Sequence, residues 1–203
     1  MSEVMPLFST PVMVCDNFAQ PVDEDLVAQC YKYDTIINGG GNFASVNTQI
    51  LDEEPFKEIK TRVEYAIREY IHGVLRWNNN NIYLTQSWLN INPQGTSHHI
   101  HHHSNSIVSG SYYIRGNSST IKFHAPSYYF TNHMLTFEPE EYNLWNSTVW
   151  RLPVQDNTIV MFPSSTTHSV DINEHEDDRI SIAFNTFVRG TFGTKGNLNY
   201  LEL

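Results

Sequence analysis

From Ile82 onward the pattern of this chain changes from helical spacing to period two, in short runs broken by turn residues. Ile82 to Asn92, Ile107 to Arg115, Thr120 to His124, Thr158 to Phe162 and Arg179 to Phe187 all read as strands. A period of two is the mark of a strand, which sends alternate side chains to opposite faces. A chain with many such short runs must bury their apolar faces against one another, as a sandwich or a barrel. The 4 Trp, 11 Tyr and 11 Phe suit such an interior.

Ahead of Ile82 the period is helical. Asp23, Glu24 and Asp25 place negative charge where a helix N-terminus attracts it, and Leu26, Val27, Cys30 and Tyr31 follow at helical spacing. A second helix is capped by Asp52, tolerates Pro55 in its first turn, and carries one apolar stripe from Phe56 through Ile59, Val63, Ile67, Tyr70 and Ile71 to Val74. Such a stripe packs against a sheet. Asn78 to Asn81 form a turn. The expected organisation is a single α+β, mainly β, domain over residues 1–203, with a helical preface at 1–77 and a β core at 78–203. Tyr128 to Trp150 is aromatic and polar with little periodicity, and reads as a long excursion, either a lid or a plain surface loop.

Charge and composition exclude several functions. With 12 basic and 22 acidic residues the net charge is −10, so a nucleic-acid partner is not expected. No apolar run approaches the ~18 to 20 residues that span a bilayer, and Met1 to Met13 lacks the pattern of a signal peptide. Cytoplasmic residence is expected. Cys15 and Cys30 are too few for a disulfide framework or a thiolate cage.

The segment His98-His99-Ile100-His101-His102-His103 holds five of the ten histidines. Side chains at i and i+2 of a strand share a face, so His101 and His103 can address one metal ion, as can His99 and His101. Neutral imidazole suits iron, zinc, nickel or copper. The best further ligand is His168, which follows the apolar run ending at Phe162. No Asp or Glu lies between Asn90 and Thr136, so a histidine stands where the common non-haem iron site has a carboxylate. Unperturbed histidines, with a pKa of about 6.5, would release a metal below that pH. Downstream, Arg179 heads a strand whose one face holds Arg179, Ser181 and Ala183, and a planar guanidinium matches a carboxylate bidentately. The competing reading pairs Arg179 with Glu174, Glu176, Asp177 or Asp178 at the surface.

Two families share parts of this pattern. Gly95 followed by His101 and His103, with Pro163 ahead of His168, resembles a cupin, although Ile107 and Val108 stand where a cupin has its Glu. The wider match is to another family. Pro6 to Val12, Ser87 to Asn92, His101 to His103, Ser109-Gly110-Ser111-Tyr112-Tyr113, Phe162 to His168 and Arg179 to Asn185 resemble the small 2-oxoglutarate/Fe(II)-dependent oxygenases found in marine phages and proteobacteria. In that family the first iron motif ends His-x-His-Pro, and here Ser104 replaces the Pro.

The resemblance implies a double-stranded β-helix, or jelly roll, with the N-terminal helices packed on one sheet and iron at its open end. It implies Fe(II) held by His101, His103 and His168, with 2-oxoglutarate and dioxygen as co-substrates. It implies Arg179 on the distal carboxylate of 2-oxoglutarate, with Ser181 helping, and Tyr113 and Asn92 within reach. The expected activity is hydroxylation of a small-molecule or peptide substrate, in the host cytoplasm for a phage protein. A homodimer is compatible with this reading. The alternatives are a cupin-like metal protein without 2-oxoglutarate and a structural jelly roll without activity.

Overall fold

The computed structural model describes residues 3–78, 81–126 and 138–203. The expected strands are present: β4 (Ile82–Asn92), β6 (Val108–Arg115), β7 (Ser119–His124), β9 (Thr158–Pro163) and β11 (Arg179–Val188). The remaining strands are β1 (Met13–Cys15), β2 (Thr35–Ile37), β3 (Phe43–Ser45), β5 (His98–His101), β8 (Val149–Val154), β10 (His168–Val170), β12 (Thr191–Phe192) and β13 (Leu201–Glu202). They form a seven-stranded sheet in the order β1-β9-β6-β11-β4-β3-β2 and a four-stranded sheet in the order β5-β10-β7-β8, with β12 and β13 pairing separately. The pairings within both main sheets are antiparallel. This is the double-stranded β-helix architecture in a mixed α+β fold.

Two α-helices among the described residues complete it. Helix α1 (Glu24–Cys30) is capped by Asp23, whose carboxylate accepts from the Leu26 N–H. Helix α2 (Lys57–Glu69) continues as a π-helical turn over Tyr70–Val74. The first third is therefore mixed, not a purely helical preface, because β1, β2 and β3 join the large sheet. Each is three residues long, too short to show a period, and pairing supplies its stability. Asp52 does not cap α2 either. It lies in a 3-10 turn, and its carboxylate accepts from Lys60 on the helix.

The central strands of the large sheet are buried on both faces. On its outer face Leu89, Tyr112, Ile114, Ile159, Met161, Ile180, Ile182 and Phe184 pack with Ile59, Val63, Ala66 and Ile67 of α2. On its inner face Tyr113, Val160 and Phe162 meet Ile121, Phe123 and Val154 across the sandwich. Alternation along each strand thus divides two cores, and burial of both faces explains the near-continuous apolar runs. No helix among the described residues is long and apolar enough to cross a membrane. The expected excursion at 128–150 lies partly outside the described residues, and its last two residues, Val149 and Trp150, open β8.

Gly110 on β6 faces Phe184 of β11 and Met161 of β9. A Cβ there would stand 2.4 Å from Phe184 Cζ and 2.7 Å from the Val160 carbonyl oxygen. The ring edge can yield, but the backbone oxygen cannot without moving β9. Gly110→Ala is therefore predicted to destabilise the fold by about 1–3 kcal/mol, the usual cost of overpacking. Denaturant unfolding of the variant beside the wild type measures this, and unchanged stability would show that β9 has slack.

Candidate metal centre

The histidine segment forms β5, which runs antiparallel to β10 so that His101 and His168 are direct partners. Two residues further along β10, Val170 pairs with His98, three residues back on β5. The extra residue in β5 is a bulge. It turns His98 to the same side as His101, where the two rings stack at 4.6 Å, while His99 and Ile100 face solvent. A regular period of two would have paired His99 with His101 and sent His98 away, so the bulge overrides the alternation read from the sequence. His103 lies beyond the end of β5 and is tied back by its N–H, which donates to the Ser164 carbonyl at 2.9 Å.

His101, His103 and His168 meet with ligand-capable nitrogens within 4.8 Å of one another. Their ring centroids are 4.2 Å apart for His101–His168, 5.2 Å for His101–His103 and 5.1 Å for His103–His168. Each Nδ1 faces an oxygen. His101 Nδ1 is 2.8 Å from the His99 carbonyl, His168 Nδ1 is 3.0 Å from the Thr166 carbonyl, and His103 Nδ1 is 2.6 Å from Asn185 Oδ1. A carbonyl only accepts, so the proton of the neutral ring sits on Nδ1 and leaves Nε2 as a bare lone pair. This is the arrangement by which outer partners orient metal-ligating histidines. A second group, His98, His99 and His101, also falls within 4.8 Å, but it shares His101, whose Nδ1 is already committed to the His99 carbonyl.

The surroundings keep these rings neutral. Burial pushes His168 and His98 down to about 3. It also lowers His101 and His103, partly offset by their bonds to the His99 carbonyl and Asn185. Phe162 lies 4.6 Å and Phe123 6.3 Å from His168, and Trp88 lies 5.9 Å from His103, centroid to centroid.

One pocket is lined by all of the expected site residues. Arg179, Ser181 and Ala183 enter it from β11, Asn90 and Asn92 from β4, and Ser111 and Tyr113 from β6. The strand pairing sets these positions: Arg179 faces Asn92, and Ser181 lies between Asn90 and Tyr113. Arg179 is only 2% exposed. Its Nη1 donates to the Asp171 carbonyl at 3.2 Å, whereas Nη2 is buried with no hydrogen-bond partner. It makes no ion pair among the described residues, and Asp178 instead accepts from the Tyr31 hydroxyl at 2.8 Å. The surface-pair reading of Arg179 therefore fails: the side chain turns inward because its position alternates with Ile180 and Ile182. Burial lowers the Arg179 pKa, but the guanidinium starts so high that it keeps its charge. No Asp or Glu lines the pocket among the described residues. A second cleft beside α1 and α2 contains Asp23, Asp25 and Glu58 but gathers no comparable ligand set.

A family profile described as "Putative 2OG-Fe(II) oxygenase" matches residues 86–185, the stretch from β4 to Asn185 that holds the whole pocket. The solved structures agree. The chain has the fold of a 2OG-Fe(II) oxygenase. HygX from Streptomyces hygroscopicus, with nickel and 2-oxoglutarate bound, superimposes with a TM-score of 0.58 at 12% identity over 87% of this chain and 82% of HygX. The α-ketoglutarate-dependent epimerase SnoN from nogalamycin biosynthesis gives 0.63 at 13% identity over 93% and 81%. A Pseudomonas putida prolyl-4-hydroxylase gives 0.60 at 13% identity over 91% and 96%. No curated protein matches the sequence. At such identities these structures share the oxygenase fold, and the chemistry must be argued from the pocket.

Sequence reasoning missed His98, Trp88 and Asn185 as pocket or supporting residues. Asn185 had a signal, since it continues the alternate-position series Arg179, Ser181, Ala183. His98 had none, because nothing local announces the bulge.

The depressed histidine pKa values have a consequence for stability. In the unfolded chain these rings take up protons below about pH 6.5, whereas in the folded protein they resist doing so. The unfolded state then binds more protons, so stability falls as pH drops from about 6.5 toward 3. The metal-free protein should melt at a constant temperature above pH 7 and at falling temperatures below 6.5. Metal affinity should persist below pH 6.5, later than the sequence alone suggested. Melting in chelator from pH 7.5 to 4.5 tests the first point, and a melting temperature that rises on acidification would contradict it.

Proposed function

We propose that this protein is an Fe(II)- and 2-oxoglutarate-dependent oxygenase, with His101, His103 and His168 as the iron ligands. The observation that carries the reading is the pairing of two features in one pocket: three Nε2 lone pairs that converge, and a buried guanidinium nitrogen with nothing to donate to. Neutral imidazoles suit Fe(II), and an orphaned N–H beside a positive charge suits a carboxylate, so the residues fit both groups. When bound, iron and 2-oxoglutarate supply the activation of dioxygen for oxidising a substrate C–H bond.

The chain contributes binding and orientation. Arg179 receives the distal carboxylate, and the Ser181 hydroxyl supports it from the same strand face. Tyr113 and Asn92, both almost fully buried, offer a hydroxyl and an amide to the same co-substrate. Phe162, Phe123 and Trp88 exclude water on the histidine side, which strengthens every polar contact inside. The cupin-like alternative has no use for a buried, unpaired Arg179, and a structural jelly roll has no use for three tautomer-fixed histidines.

The whole chain acts as one oxygenase unit, hydroxylating a small molecule or peptide in the cytoplasm. The motifs quoted above support a place among the small oxygenases of marine phages and proteobacteria.

Two measurements test the assignment. Under anaerobic conditions Fe(II) plus 2-oxoglutarate should produce a visible charge-transfer band, and single alanine variants should lose iron affinity at 101, 103 and 168 but not at 99 or 102. Loss at 99 with retention at 103 would move the site to the His98, His99 and His101 group. Arg179→Ala should weaken 2-oxoglutarate binding by about two to three and a half decades, equivalent to about 3–5 kcal/mol, and leave iron binding unchanged. Arg179→Lys should fall between the two. Equal 2-oxoglutarate affinity in wild type and Arg179→Ala would remove the main support for the oxygenase over the cupin-like reading.

A further inference from the structure

We propose that Asn185 is the positioning residue that makes His103 a usable metal ligand, and that a buried chain of serines holds it to that task. The inference rests on the three-histidine reading above and concerns how that site is kept ready. His101 and His168 take their tautomer from backbone carbonyls, which have no donor end. His103 depends on a side-chain amide, which has both an acceptor and a donor end.

That difference matters because His103 has a competing bond. Its Nε2 lies 3.3 Å from His101 Nε2. Since the proton of His101 sits on Nδ1, its Nε2 is a bare acceptor facing His103. One tautomer of His103 donates from Nδ1 to Asn185 Oδ1 and leaves Nε2 free. The other donates from Nε2 to His101 and occupies two ligand atoms with each other. The end of the Asn185 amide that faces the ring selects between them.

The structure supports the first choice. Ser109, the cross-strand partner of Asn185, donates its hydroxyl to the same Oδ1 at 2.8 Å. Ser109 Oγ is in turn 2.7 Å from Ser164 Oγ, which is 2.7 Å from Ser106 Oγ. The Thr186 N–H donates to Ser106 Oγ at 3.2 Å, and the Ser164 carbonyl accepts from the His103 N–H at 2.9 Å. Ring and backbone of His103 are thus tied to one hydroxyl chain. Its central members are sealed from water, with Ser109 at 0% and Ser164 at 1% exposure. Sealed hydroxyls cannot reorient through solvent, so the amide oxygen stays turned toward His103.

The test reads the tautomer and the metal separately. In metal-free protein, histidine 15N NMR should show His103 protonated on Nδ1, with its signals assigned by loss in His103→Gln. Asn185→Leu should shift His103 to the Nε2–H tautomer and weaken Co(II) binding by about 10- to 100-fold, while His101 and His168 keep their signatures. Asn185→Asp, which retains only acceptors, should restore both readouts. Ser109→Ala should move both in the direction of Asn185→Leu by a smaller factor, and with Asn185→Asp it carries the test if Asn185→Leu does not fold. Wild-type His103 found as Nε2–H, or Asn185→Leu with an unchanged tautomer and Co(II) affinity, would overturn the proposal. Failure of the wild type to bind Co(II) would instead count against the three-histidine site, with the tautomer result still deciding the role of Asn185.

Discussion

Burial of β11 on both faces is the constraint on which the rest of this structure depends. Ile180, Ile182 and Phe184 are anchored in the layer under α2, so Arg179, Ser181, Ala183 and Asn185 have no choice but to face the interior of the sandwich. A slip of one residue would exchange the two sets and put a guanidinium under the helix. The apolar layer therefore does more than stabilise the sheet, because it places the polar stripe that builds the pocket. β4 and β6, which flank β11, obey the same rule and add Asn90, Asn92, Ser111 and Tyr113.

The smaller sheet adds the histidines by a different device. Cross-strand pairing puts His101 against His168, and the end of β5 releases His103 to the Ser164 carbonyl. The resulting pocket holds four neutral histidine rings and one buried cation, with no carboxylate among the described lining residues. A buried charge without a partner is costly, and the carboxylate of the proposed co-substrate 2-oxoglutarate would relieve that cost on binding. This is why the pocket, and not the fold likeness, supports the functional proposal.

The fold likeness has a narrower meaning. Its matches include an epimerase and a prolyl-4-hydroxylase, so the architecture hosts more than one reaction. Aromatic and amide side chains, among them Trp88, Asn90 and Phe162, stand at the wall of the pocket.

The long strands, the α2 stripe and the polar face of β11 were legible in the sequence because each obeys a local period. Alternation put Arg179 and Ser181 on one face, and proximity in sequence joined His101 to His103. The identity of the third histidine, His168, came from its place after an apolar strand and from family resemblance. Short strands such as β1 to β3 and β10 were not legible, since three residues carry no period and exist only through pairing. Nor was the cap of α2, where Asp52 bonds Lys60 in place of the helix end. The sequence by itself determined which residues are apolar, how they alternate and that a neutral ligand set was present. Tertiary structure alone decided that β5 bulges, that His98 turns inward, that Arg179 stays unpaired and that Asn185 meets His103, because each depends on a neighbour distant in the chain whose position no local pattern encodes.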